Sequence, residues 1–425
     1  TKTVTGLSIA TQCSFSSIAT NDDGVRTESG PATSLYTLAA VPNKPSFTNT
    51  TANTTDIEIN ASTNPADVEF AVSLSNGQYV QADGTIASGA IWQTKTLWDN
   101  TTVTGLAPNT TYTFQVKARN GDHVETTTSE AESIVTLAAT PSQQDLYNYN
   151  TFTDKLEFYI SYDTNPQSTE FAVQDSISGL YLQIDAFLGE SQIWHAQAPA
   201  SYIFGLNPGT NYAIRVKARN ASSIETEWGV SRKLSTMPNV PGTPILIDTT
   251  TNSISVEIDN GSNPNNVTYA IYENNSSLFV KADGTFSETE VWQSQGEWGT
   301  TSISNLNVNQ NLSLKVKAKN DDNAETNYSS AISVYTLAKI PAAPTVEALS
   351  SSSISIAINT NENPGSVFYA IQEVTSGKYV GYYSGLQDVE DWRTFEYWQD
   401  CIIGGLEGST EYTFNVKARN SDYVE

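Results

Sequence analysis

One motif returns along this chain at a step of 100 residues, and that step limits the architectures open to it. The strings are YTFQVKARN (Tyr112 to Asn120), YAIRVKARN (Tyr212 to Asn220), LSLKVKAKN (Leu312 to Asn320) and YTFNVKARN (Tyr412 to Asn420). Leu106, Leu206, Leu306 and Leu406 precede them at the same step, and Glu125, Glu225, Glu325 and Glu425 follow. Asn-Pro pairs begin at Asn64, Asn165, Asn263 and Asn363. A unit of this length is too long for a solenoid repeat and matches one small domain. Prolines at Pro42/Pro45, Pro141, Pro238/Pro241/Pro244 and Pro341/Pro344 mark short joints stiffened by the fixed proline φ. The expected organisation is three units, 41–138, 139–237 and 238–338, flanked by two partial ones. Residues 1–40 supply the C-terminal part of a unit, and 339–425 a unit lacking its last strand.

Within a unit the hydrophobic period is two. Tyr112, Phe114, Val116 and Ala118 alternate with Thr113, Gln115, Lys117 and Arg119, which predicts one core face and one solvent face. Asp56 to Ile59 and Ser133 to Leu137 read as further strands, and Asn76-Gly77 and Asp83-Gly84 as hairpin turns. About seven short strands per unit and no helix are expected, hence an all-β chain of antiparallel sandwiches.

The corner Gly105-Leu106-Ala107-Pro108-Asn109-Thr110-Thr111-Tyr112, followed by Phe114, Val116, Ala118 and Asn120, resembles the fibronectin type III repeat. The resemblance covers essentially the whole chain. It implies tandem immunoglobulin-like sandwiches, beads on a string, with a Tyr hydroxyl tying the corner to the strand that follows. Departures are visible. The second-strand Trp of the family is replaced by Ile57, Ile254 or Ile354, and Leu312 and Cys13 stand where the corner Tyr belongs. Composition and Trp pattern are similar to those of tandem modules in large bacterial surface proteins.

Composition excludes several functions. The chain of 425 residues carries 46 acidic and 21 basic side chains, a formal charge of -25, which suits neither nucleic acid nor anionic lipid. Two cysteines and two histidines leave little for a zinc site or acid–base chemistry. No apolar run long enough to span a bilayer occurs, so no membrane insertion is expected of this segment. Thr1-Lys2-Thr3-Val4 shows neither an initiator Met nor a signal core, as in a piece of a longer array. The end units are expected to be completed by neighbouring repeats, or by strand exchange between copies.

Four candidate sites remain. Trp92/Trp98, Trp292/Trp298 and Trp392/Trp398 lie six apart, and an even spacing puts both rings on one strand face; Trp194 pairs with Ala200 instead. Trp98, Trp298 and Trp398 are thus candidates for stacking on surface glycans, against the reading that one Trp of each pair fills the core. Lys117/Arg119, Lys217/Arg219 and Lys417/Arg419 read as a solvent-facing ladder against aromatic or acidic neighbours. Cys13 and Cys401 are candidates for an intermolecular disulfide, against two buried thiols. Asn21-Asp22-Asp23-Gly24, Asn120-Gly121-Asp122 and Asn320-Asp321-Asp322-Asn323 are candidate calcium loops, against ordinary turn chemistry. No catalytic constellation stands out. The function expected is that of a non-enzymatic extracellular or cell-surface structural protein, part of a filament, surface layer or stalk. The alternative is an adhesin or a carbohydrate-binding accessory array of a secreted enzyme.

Overall fold

The computed structural model describes residues 2–99, 101–142, 146–160, 162, 164–196, 201–383 and 385–425. The chain forms two compact units. The first comprises Thr1–Asn150, Glu157–Phe204 and Tyr212–Leu234; the second comprises Thr151–Leu156, Gly205–Asn211 and Ser235–Glu425.

In the first unit, the repeat at 41–138 is a sandwich of two antiparallel sheets. One orders Ser46–Thr48, Thr55–Glu58 and Thr102–Val103. The other orders Glu132–Val135, Thr111–Arg119, Glu69–Leu74, Tyr79–Val80 and Ile86–Ala87, with Gln93–Thr94 also on Glu69–Leu74. The register sets Phe114 opposite Leu74, Val116 opposite Val72 and Ala118 opposite Phe70, so the alternation read from the sequence delivers one buried face. Residues 214–219 pair with Glu170–Asp175 in the same way. Residues 2–40 contribute a two-stranded ribbon, Gln12–Phe15 with Thr33–Tyr36, on which Phe15, Ile18 and Leu35 stay largely exposed.

The second unit repeats the plan twice. Ile245–Thr249, Ile254–Glu257 and Thr301–Ile303 face a sheet centred on Thr268–Glu273 and Asn311–Lys319. Ala342–Ser350, Ser353–Asn359 and Cys401–Gly404 face one centred on Phe368–Glu373. The strand beside it, Phe414–Arg419, has six residues, where its counterparts Thr111–Arg119 and Asn311–Lys319 have nine. In the longer strands the first residues pair only with the final strand of the repeat, Glu132–Val135 or Ile332–Tyr335.

Helix is present where none was expected. Single turns α1 (Lys95–Trp98), α2 (Gln295–Trp298) and α3 (Phe395–Trp398) each end on a buried Trp. A capping box between Ser294 and Glu297 starts α2. The indole N–H donates to the carbonyl of Phe70, Tyr269 or Tyr369 at 2.8, 2.9 and 3.0 Å. The Trp missing from the second strand is therefore supplied by a helical turn, with its one polar group satisfied. The Asp-Gly turn is equally constrained: Gly84 has φ +82°, and a Cβ there would stand 1.9 Å from the Thr102 carbonyl oxygen.

In the second unit a buried acid closes the turn that precedes this one. Glu373 accepts from the amides of Thr375 and Ser376 at 3.0 and 2.7 Å, and Glu273 from Asn275, Ser276 and Ser313 at 3.1, 2.6 and 2.9 Å. Burial alone would raise the Glu373 carboxyl; the Ser376 hydroxyl and the amides of Ser376, Thr375 and Thr413 outweigh it and hold the pKa at about 2.

Trp298→Ala should destabilise the repeat at 238–338, the fourth when 1–40 is counted as the first and 339–425 as the fifth, by about 3–5 kcal/mol, read as a lowered denaturant midpoint. Glu373 titrates below its ordinary value of 4.5, so its contribution is present above that value and lost as pH falls toward 2. Acid titration of the melting midpoint should show this loss, and Glu373→Gln should flatten it.

Candidate interface at the joints between repeats

Each joint is gripped by two asparagine side chains of the downstream repeat. The first closes the long motif strand. Asn120 Oδ1 accepts from the amides of Asp122 and Val124 in its own turn, at 3.1 and 2.9 Å, which fixes the amide plane. Its Nδ2 then donates to the Thr37 carbonyl, at 3.1 Å, in the segment upstream. Asn220 reaches Thr136, Asn320 reaches Thr236 and Asn420 reaches Thr336, at 3.0, 2.9 and 3.2 Å. All four asparagines are buried.

The accepting threonine is itself anchored. Thr136 Oγ1 donates to the Ala107 carbonyl at 2.7 Å and accepts from the Thr110 amide at 2.9 Å, both in its own corner. Thr236 and Thr336 repeat this with Asn207/Thr210 and Asn307/Gln310. One residue earlier, the Tyr36, Ser235 and Tyr335 amides donate to Asp122, Asp322 and Asp422 at 2.6, 2.8 and 2.6 Å. Ser222 stands at that position in the remaining joint, without a carboxylate.

The second asparagine is that of the Asn-Pro pair. Asn64 accepts from the Ala40 amide and donates to the Ala40 carbonyl, both at 2.8 Å. Asn165 treats Ala139 the same way, Asn263 Asn239, and Asn363 Lys339. Two further side chains add to individual joints. Asn109 Oδ1 accepts from the Ala221 amide and its Nδ2 donates to Thr169 Oγ1, at 2.8 and 2.9 Å. Asn309 does so with Ser421 and Ser366, at 2.9 and 2.8 Å. The asparagines were visible in the sequence as constant markers, and their partners were not.

The corner itself varies. The Tyr112 and Tyr412 hydroxyls accept from the amides of Ala107 and Glu407 at 2.8 and 2.9 Å. Where Leu312 replaces the Tyr, Gln310 Oε1 accepts from the Asn307 amide at 2.7 Å. A different side chain serves the same orphan donor.

The outer face of the motif strand carries a ladder. Arg119 lies 4.6 Å over Trp92 and pairs with Glu69 at 2.6 Å, while Lys117 pairs with Glu125. Arg219 lies 4.6 Å over Trp194, Lys319 4.4 Å over Trp292 and Arg419 4.4 Å over Trp392. Lys217, Lys317 and Lys417 pair with Glu225, Glu325 and Glu425, which accounts for the glutamate that follows each motif.

Several expected sites fall elsewhere. Trp98, Trp298 and Trp398 are 0%, 4% and 0% exposed, so they offer no face to a sugar ring. Between the two Trp of a pair the chain runs through a two-residue strand into a helical turn, which separates the rings. Ala200 lies outside the described residues. Cys401 is 2% exposed in the fifth core, its thiol pushed up to about 11 by burial and then by Asp391; this overturns its role in an intermolecular disulfide. Cys13 is half-buried and unbonded in the ribbon. Among the described residues no three His, Cys, Asp or Glu side chains gather as a metal site, and Asp122 and Asp322 of the candidate calcium loops serve the joints. No described helix is long and apolar enough to cross a membrane.

Residues 40–134 match the family profile described as the fibronectin type III domain. No curated protein sequence matches the chain. Similar solved structures include the crystal structure of the chicken CNTN1 FN1-FN3 domains, at 14% identity over 70% of this chain and 98% of that one, with a TM-score of 0.24. A two fibronectin type III domain segment of chicken tenascin is 15% identical over 46% of this chain and 100% of that one, with a TM-score of 0.30.

A thiol reagent applied to the folded chain should label Cys13 and spare Cys401, giving one equivalent by mass; unfolding should release the second. Two equivalents in the folded protein would contradict the burial of Cys401.

Proposed function

We propose that this chain, a tandem array of fibronectin type III repeats, is a non-enzymatic structural array of the cell exterior, serving as part of a stalk, filament or surface layer. The observation that carries the reading is the recurring grip of the joints: four asparagines at the same motif position hold four threonines, and four Asn-Pro asparagines hold the linker beside them. A chain that merely tethered binding modules would need no such fixation, because a flexible linker already spans and separates domains. A spacer or load-bearing element does need it. The polar chemistry of the repeats is spent on their contacts with one another, so neighbouring repeats are the first partners expected.

The joint between the fourth and fifth repeats, both within the second unit, gives the test. Spin labels at Lys281→Cys and Lys378→Cys, in a Cys13→Ser background, report the distance across it. The parent should give a narrow distribution. Asn363→Ala with Asn420→Ala should broaden it severalfold, and the strand amides and carbonyls left without partners should cost about 1–3 kcal/mol each. A broad distribution in the parent, or an unchanged one in the variant, would refute the structural reading.

A further inference from the structure

The fourth repeat is open along a side that the second keeps shut. In both, the first and last strands are the outermost strands of their sheets. The second repeat bridges them: Lys44 Nζ pairs with Glu132 at 2.6 Å, and the Phe47 ring turns inward to lie 4.7 Å from Phe114. Strand pairing sets Leu246 opposite Val256 as it sets Phe47 opposite Ile57, and Ile332 opposite Leu314 as it sets Glu132 opposite Phe114. Thr243, Leu246 and Ile332 therefore stand in place of Lys44, Phe47 and Glu132. Threonine and isoleucine form no ion pair, and Leu246 stays 41% exposed. A bulge between Leu246 and Asp248 leaves Ile247 without an opposite residue, 49% exposed. The result is a groove of about 480 Å³ between Ile245–Thr249 and Ile332–Tyr335. It runs on to Asn420 and Asp422 of the fifth repeat, within the same compact unit.

The lining defines what fits. Leu246, Ile247, Ile332, Tyr335 and Leu337 give the groove apolar walls. The two strands meet at one end, where the Leu337 amide donates to the Thr250 carbonyl at 2.9 Å; the Tyr335 amide then donates to Asp422 at 2.6 Å. Alternate residues of a strand turn their backbone groups to the same edge, so Ser333 comes next and presents an N–H and a C=O to the groove. Such an edge is a template for one more strand. Asp248 and Asp422 are the charged side chains of the lining, with no Lys, Arg or His among them. A second copy of this chain, at a formal charge of -25, is repelled from such a site, whereas a cationic segment is drawn to it.

We propose that this groove takes up an extended segment of a basic partner protein as an added strand, its apolar side chains alternating into the walls and its Lys or Arg beside Asp248 and Asp422. The site goes beyond the stalk reading and stands whether or not the joints are rigid.

Fluorescence anisotropy on the full chain at low salt tests it, with a labelled octapeptide in which Val alternates with Thr and two Lys stand at one end. Saturable binding is expected at millimolar concentration or below, with slowed hydrogen exchange at the Ser333 amide. Replacing both Lys by Glu, or a central Thr by Pro, which removes a ladder N–H, should abolish it. Thr243→Lys with Ile332→Glu, the residues of the second repeat, should restore the bridge and exclude the peptide. Ile247→Thr, confined to an exposed side chain, should weaken binding about threefold. Melting midpoints near the parent's establish that the variants fold. The proposal is overturned if the Lys peptide does not bind, if the Glu or Pro peptide binds as well, or if either folded variant binds as tightly as the parent. A dimer in sedimentation that Ile247→Thr dissociates would overturn it too, since a second copy would then fill the groove.

Discussion

An asparagine side chain holds a carbonyl and an NH₂ group in one rigid plane, and the joints depend on that pairing. At Asn120 the carbonyl is committed to the turn that follows, so the NH₂ points out of the repeat in a fixed direction. Aspartate would present two acceptors to a carbonyl, and glutamine would add a rotatable bond. At Asn64 both groups face one residue, Ala40, and satisfy its amide and its carbonyl together. These contacts are buried or half-buried, so losing a side chain strands backbone polar groups with little access to water, at a penalty that exceeds the net worth of the bonds themselves.

Upstream, the threonine makes the grip more than local. Its hydroxyl is tied to its own corner while its carbonyl is held by the next repeat, so a displacement at the joint is felt at the corner that starts the long strand. That strand in turn carries the cationic ladder over Trp92 and its equivalents. The basic side chains there are shielded by aromatic faces and glutamates. What remains outward is the acidic surplus of a chain with a formal charge of -25, a charge of one sign that favours mutual repulsion between copies.

Much of the fold could be read from residue order because its determinants are short-range. The alternation around Phe114 and Val116 and the Asp83-Gly84 turn each need only a few neighbours. The helical turns escaped because the even spacing of Trp92 and Trp98 satisfies a period of two, whereas the chain passes from a two-residue strand into a helical turn between them. The joints escaped for another reason. Asn220 and Asn320 act on residues 84 positions earlier, in a different repeat, so no template of a single repeat contains the contact. Gln310 in place of the corner Tyr is likewise visible only when one repeat is set beside another.

The joint has a consequence for how such a chain can change over generations. Its upstream half is a threonine one residue past a strand, its downstream half two asparagines, and both halves recur from repeat to repeat. Any repeat can therefore follow any other with its connector already matched. Duplication, deletion or reshuffling of whole repeats would alter the length of the array without requiring a new interface, and a repeat between two connectors remains at liberty to drift.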